Sequence, residues 1–110
     1  LTMWNSELDP RTFFFYKSGG EILMNLKDHK KAFDYLRMAK KVNQRDEDFP
    51  NSNTLDLNTA VIAWFLDTEQ FEDALQLIVE SIPLSEKLNG TNHQMTEWLV
   101  NMRNEMISQN

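Results

Sequence analysis

Apolar residues recur every three or four positions along most of the chain, which is the spacing of one face of an α-helix. The clearest stripe runs from about His29 to Asn43 and includes Ala32, Leu36 and Ala39. Comparable stripes predict further helices at about 10–26, 55–66, 70–90 and 92–107. The pattern therefore predicts an all-α fold of about five helices arranged as tandem antiparallel hairpins.

Capping and turn residues set the predicted helix ends. Asp9 before Pro10 is typical of an N-cap followed by the first helical position. Gly90 is typical of a helix terminator. We expect the third helix to be capped by residue 53 or 54 and the fifth by residue 91 or 92, because Asn and Thr occupy both pairs of positions.

Three residues interrupt the predicted helices. Gly19 and Gly20 lie in the middle of the first helix, where glycine is unfavourable unless a neighbouring helix approaches closely. Pro83 lies inside the fourth helix and lacks the N–H that a helix interior needs. We expect a close helix neighbour at the glycines, and a kink or a stop at Pro83.

The two halves of the chain share a fixed separation of apolar residues. A spacing of 42 residues relates Leu23 to Phe65, Ala32 to Ala74 and Leu36 to Ile78. A constant spacing of this size indicates stacked helical hairpins, each of which buries its apolar face against the next.

These positions resemble the tetratricopeptide repeat, whose first helix carries an aromatic and then a small residue. Its second helix carries a small, a large and a small residue. The matching residues are Tyr16, Gly20, Ala32, Leu36 and Ala39, followed by Phe65, Ala74, Ile78 and Ser81 in the second half. The segments from Phe71 to Leu75 and from Ser85 to His93 are similar to the long, 42-residue repeats of the kinesin light chain type. The resemblance implies one domain over 1–110, with repeats at about 12–53 and 54–90 and a partial third at 91–110.

The charge and composition narrow the classes of function. The formal net charge is −6, and the basic residues of the second helix are interspersed with Asp28 and Asp34, which disfavours a phosphate-binding stripe. The chain has no cysteine, which excludes disulfides and thiolate sites and favours an intracellular, cytoplasmic location. No apolar run reaches the ~20 residues of a membrane helix.

No arrangement typical of catalysis is present. His29 and His93 are the only histidines, and each stands apart from other metal-ligating residues. The glycine-rich phosphate loops and the nucleophile-elbow motif are absent. The sequence predicts a chain that is not an enzyme, with no catalytic residue, no cofactor and no metal.

Four adjacent aromatic residues, Phe13 to Tyr16, open the first helix. Successive helical residues turn by about 100°, so at least one of these rings must point away from the core of its own hairpin. Such a ring packs against a preceding helix or Trp4, or it lines a binding surface, where aromatic anchors are enriched.

The resemblance implies a concave groove lined by the first helix of each repeat. Acidic side chains, among them Asp56 and Asp67, and exposed aromatic rings would suit a basic or apolar peptide. The residues that this register places on the groove are Phe14, Lys17, Glu21, Asn25, Thr59, Ala63, Trp98, Asn101 and Glu105.

We therefore predict a non-catalytic protein–protein interaction module that holds a peptide or partner helix. Two alternatives remain open: a helical accessory domain of a larger enzyme, and an RNA-binding segment of the pentatricopeptide type. Self-association by end-to-end stacking is a further possibility.

Overall fold

The computed structural model of the chain describes residues 9–109, which form one turn of 3₁₀-helix and five α-helices. Each helix packs on the next along the chain, and the short turns make neighbours antiparallel. The predicted all-α fold of tandem hairpins is confirmed. After the turn at Pro10–Thr12, the helices are α1 Phe13–Asn25, α2 His29–Gln44, α3 Ser52–Asp67, α4 Phe71–Asn89 and α5 Gln94–Ser108.

Helix α1 lies close to α2 at the two glycines. A Cβ atom on Gly19 would lie 2.6 Å from the Tyr35 ring, and one on Gly20 would lie 2.8 Å from Cδ2 of Leu36 and 3.3 Å from the carbonyl oxygen of Ala32. The predicted close helix neighbour is confirmed, because only hydrogen atoms fit at this crossing.

Helix α3 joins two hydrophobic cores. Its residues Leu57 and Ala60 pack with α1 and α2, whereas Leu55 and Ile62 pack with α4 and α5. A helix that is apolar on two flanks is buried between both neighbours. The first core also holds Phe13, Met24, Ala32, Leu36, Ala39 and Val42, and the second holds Ile78, Ile82 and Leu99.

The turns after α1 and α3 have the same backbone geometry. Lys27 and Glu69, 42 residues apart, adopt left-handed conformations with φ of 66° and 60°. One residue after each of them, the N–H of Asp28 donates to the carbonyl of Leu23 at 2.9 Å, and the N–H of Gln70 donates to the carbonyl of Phe65 at 2.8 Å. These are the bonds of a Schellman cap, in which glycine is the usual left-handed residue.

Lys27→Gly is expected to raise the free energy of unfolding by about 0.5–1 kcal/mol, because glycine adopts the left-handed conformation without a Cβ clash. Urea denaturation measures the change, and Lys40→Gly, at an exposed position inside α2, is the matched control, expected to lose about 1 kcal/mol. Equal destabilisation by both substitutions would contradict the cap.

The N-cap of α3 is Asn51, so the predicted cap at residue 53 or 54 is wrong. The Asn51 side chain accepts the N–H of Thr54 at 3.1 Å, and the Thr54 hydroxyl accepts the N–H of Asn51 at 3.0 Å. The Thr54 hydroxyl also donates to Asn43 on α2. This tertiary contact fixes Thr54 inside the first turn of α3.

The N-cap of α5 is His93, so the predicted cap at residue 91 or 92 is also wrong. Nδ1 of His93 accepts the N–H of Met95 at 3.0 Å. Residues 91–92 form a turn that follows Gly90, which ends α4 with φ of 92° as predicted.

Helix α4 continues through Pro83, so the predicted stop is wrong. Proline cannot donate to the carbonyl four residues earlier, which belongs to Val79. Both residues are exposed, so this lost bond lies on the solvent side, where water satisfies a carbonyl.

Candidate functional site

The first helices of the two hairpins approach each other at a shallow depression. Glu21 and Asn25 of α1 and Thr59 and Ala63 of α3 line it together with Met24 and Ala60, around a volume of about 240 Å³. The structure therefore brings together four residues that the sequence placed on the groove.

A second depression lies between α3 and the start of α5. Its volume is about 560 Å³, and it is lined by Thr59, His93, Gln94, Met95 and Trp98. Trp98 is 42% exposed. Because Thr59 lines both depressions, the two form one surface across α1, α3 and α5, which we call the first-helix groove.

Phe14 and Lys17, which were also predicted to line the groove, line neither depression. They lie on α1 towards its start, on the same face as Glu21. The Phe14 ring is 58% exposed and meets the buried Phe13 ring edge-on, with 5.1 Å between centroids. Nζ of Lys17 lies 3.3 Å from a carboxylate oxygen of Glu21, so these two charges offset each other.

Asn101 and Glu105 do not line either depression of the groove. Asn101 instead lines a separate depression of about 390 Å³ with Thr96 and Glu97, on another flank of α5. Glu105 is exposed one turn further along the helix. The first half of α5, around Trp98, is the part that faces α3.

A cleft that the sequence did not predict lies between α2 and α4, with α3 as its floor. Its volume is about 340 Å³, and its rims carry opposite charges, with Arg37 and Lys40 on α2 and Asp73 and Glu80 on α4. The rest of its lining is Phe33, Leu36, Leu57, Asn58, Val61, Phe65, Gln76 and Leu77.

The perturbed carboxyl groups belong to helix starts. Hydrogen bonds from Arg11 lower the pKa of Asp9 to about 2, and a hydrogen bond from the Asn51 side chain lowers the pKa of Asp48. These bonds stabilise the charged carboxylates, Asp9 as a helix cap itself and Asp48 as a partner of the cap Asn51. Within residues 9–109, no three His, Asp or Glu side chains lie together as a metal site would require.

Over residues 9–109, none of the helices has the length and apolarity needed to cross a bilayer. Comparison with known proteins finds no matching family model, no similar curated protein and no similar solved structure.

Proposed function

We propose that this chain is a non-catalytic interaction module of the tetratricopeptide-repeat type, which binds a peptide or partner helix in the first-helix groove. The observation that carries the proposal is the shared position of Thr59. It joins a polar depression beside Glu21 and Asn25 to a larger one beside the exposed Trp98. A continuous surface of this kind holds an extended ligand at more than one point.

The groove favours a ligand that is basic or apolar. Lys17 is paired with Glu21, whereas Asp56 is an exposed acid on the same helix as Thr59. Trp98 and Phe14 offer rings against which apolar side chains pack and over which cations are attracted. A peptide with an acidic tail would find no unpaired lysine or arginine among the residues assigned to the groove.

The two alternative functions make different demands on the first-helix groove. An RNA reader needs basic side chains along the nucleic-acid path, and the one lysine among the assigned groove residues, Lys17, is paired with Glu21. An accessory domain of a larger enzyme would use the same surface towards another part of its parent. A cytoplasmic location is part of the proposal and is supported by the cysteine-free sequence.

Trp98→Ala and Phe14→Ala are each expected to weaken the binding of selected peptides by about tenfold or more, because exposed aromatic anchors dominate interface energies. Peptides enriched from a random library on the wild-type chain would be titrated against each variant by calorimetry. Phe71→Ala, at an exposed aromatic residue that starts α4, a second helix of a hairpin, is the matched control and should keep wild-type affinity. If both Trp98→Ala and Phe14→Ala keep wild-type affinity, or if Phe71→Ala loses as much as they do, the groove assignment is wrong.

A further inference from the structure

A second apolar surface lies on α1, away from the first-helix groove. Phe15, Ile22 and Leu26 are 63%, 59% and 71% exposed. Phe15 and Ile22 are seven residues apart on one face of α1, and Leu26, the C-cap, follows Ile22 by four residues on the same side. Ser18 is exposed between them, and the Phe15 ring borders Tyr35 of α2 with 6.1 Å between centroids. We call the uncharged surface formed by Phe15, Ser18, Ile22 and Leu26 the α1 end face.

Positions equivalent to this face recur 42 and 84 residues later, on α3 and α5, and there a neighbouring helix covers them. The residues equivalent to Phe15 are Leu57 and Leu99, which are 3% and 0% exposed. Leu57 packs in the core with Leu36 and Ala39 of α2. Leu99 packs in the core with residues of α4.

The position of Ile22 gives the same comparison in more detail. Its equivalent on α3 is Trp64, whose ring lies 4.8 Å from that of Phe33 on α2. The indole N–H of Trp64 also donates to the carbonyl of His29 at 2.8 Å. In α3, therefore, the face equivalent to the α1 end face packs on α2, the second helix of the preceding hairpin.

The starts of the three first helices confirm that their registers agree. Asp9, Asn51 and His93 are N-caps at intervals of 42 residues, Asp9 of the 3₁₀ turn that leads into α1 and the other two of α3 and α5. Threonine follows three residues later each time, and two of these hydroxyls bond the end of the preceding second helix. Thr54 bonds Asn43 at 2.5 Å, and Thr96 bonds Ser85 at 2.6 Å.

We propose that the α1 end face binds one amphipathic helix in the position that α2 holds against α3. The chemistry of that partner follows from the internal example: an uncharged apolar stripe with a large ring or aliphatic side chain opposite Ile22, as Phe33 lies opposite Trp64. The occupant is thus the second helix of another helical hairpin. This contact is separate from the first-helix groove and does not depend on a peptide there.

The test adds one helical hairpin in front of α1. Residues 1–8 are replaced with a copy of residues 9–50, so that the copied α2 arrives 42 residues before its original and meets the α1 end face. Because the chain has no cysteine, Ile22→Cys in the original hairpin becomes a single reporter of exposure to a thiol reagent. We expect the reporter to react about tenfold more slowly in the extended protein than in the 110-residue chain, since stacking permits reaction only through local opening.

Two controls make the result specific. Phe14→Cys, at an exposed position on the face of α1 that carries Glu21, should react at the same rate in both proteins. Phe33→Asp in the added copy alone should return the Ile22→Cys rate towards that of the 110-residue chain. The proposal is overturned if Ile22→Cys reacts equally fast in both proteins, or if its protection survives the charged copy unchanged.

Discussion

Ile78→Ala is expected to lower the free energy of unfolding by about 3–4 kcal/mol, the largest effect of any single substitution considered for this chain. Ile78 is 0% exposed and belongs to the core that joins α3, α4 and α5. Its neighbours there include Ile62 and Leu99. Alanine removes three carbons from this core, and three helices meeting at one point cannot all move to close the cavity.

The matched control for this substitution is the next residue. Val79→Ala alters a side chain that is 45% exposed on the same helix, and its cost should stay within about 0.5 kcal/mol. Urea denaturation followed by circular dichroism gives both values. A loss below about 1 kcal/mol for Ile78→Ala would mean that α5 does not close this core in the way described.

Asn43→Ala is expected to cost about 2–3 kcal/mol, the second largest effect. Asn43 is 3% exposed; its amide oxygen accepts the Thr54 hydroxyl, and its amide nitrogen donates to the Asn51 side chain at 3.0 Å. Alanine removes both bonds and leaves the capping residues of α3 with unmet hydrogen-bonding capacity in a partly buried site. Such groups lose their hydration without recovering a partner.

The control for Asn43→Ala is Gln44→Ala at the exposed neighbouring position, which should be nearly neutral. The same denaturation experiment compares them. The bond between Asn43 and Thr54 links two hairpins, so its loss should also increase hydrogen exchange in the first turn of α3. Equal stability of the two variants would show that the polar contact contributes nothing beyond local capping.

The bodies of the helices could be predicted from the sequence because their apolar positions follow a helical period. Their starts could not be predicted as well, because Asn51, Asn53 and Thr54 are all competent N-caps. The choice among them depends on Asn43, a residue on another helix. Whether Pro83 ends α4 could not be predicted for a related reason, since its tolerance depends on which side of α4 faces water.

The candidate groove shows the same division between local and tertiary information. Helical register alone places Glu21 and Asn25 on one face of α1, and Thr59 and Ala63 on one face of α3. Which part of α5 faces α3 depends on how those helices pack, and this separates Trp98 from Asn101. The cleft between α2 and α4 depends on the distance between two second helices, which the residue pattern does not encode.

The most direct test of peptide binding in the first-helix groove is an NMR titration of the ¹⁵N-labelled chain with a library-selected peptide. The account predicts peptides rich in Lys, Arg and apolar residues, and chemical-shift changes concentrated at Glu21, Thr59, Ala63 and Trp98. It predicts little change along the cleft rim at Arg37 or Glu80. Changes confined to that cleft, or saturable shifts with single-stranded RNA but with no peptide, would contradict the proposed function.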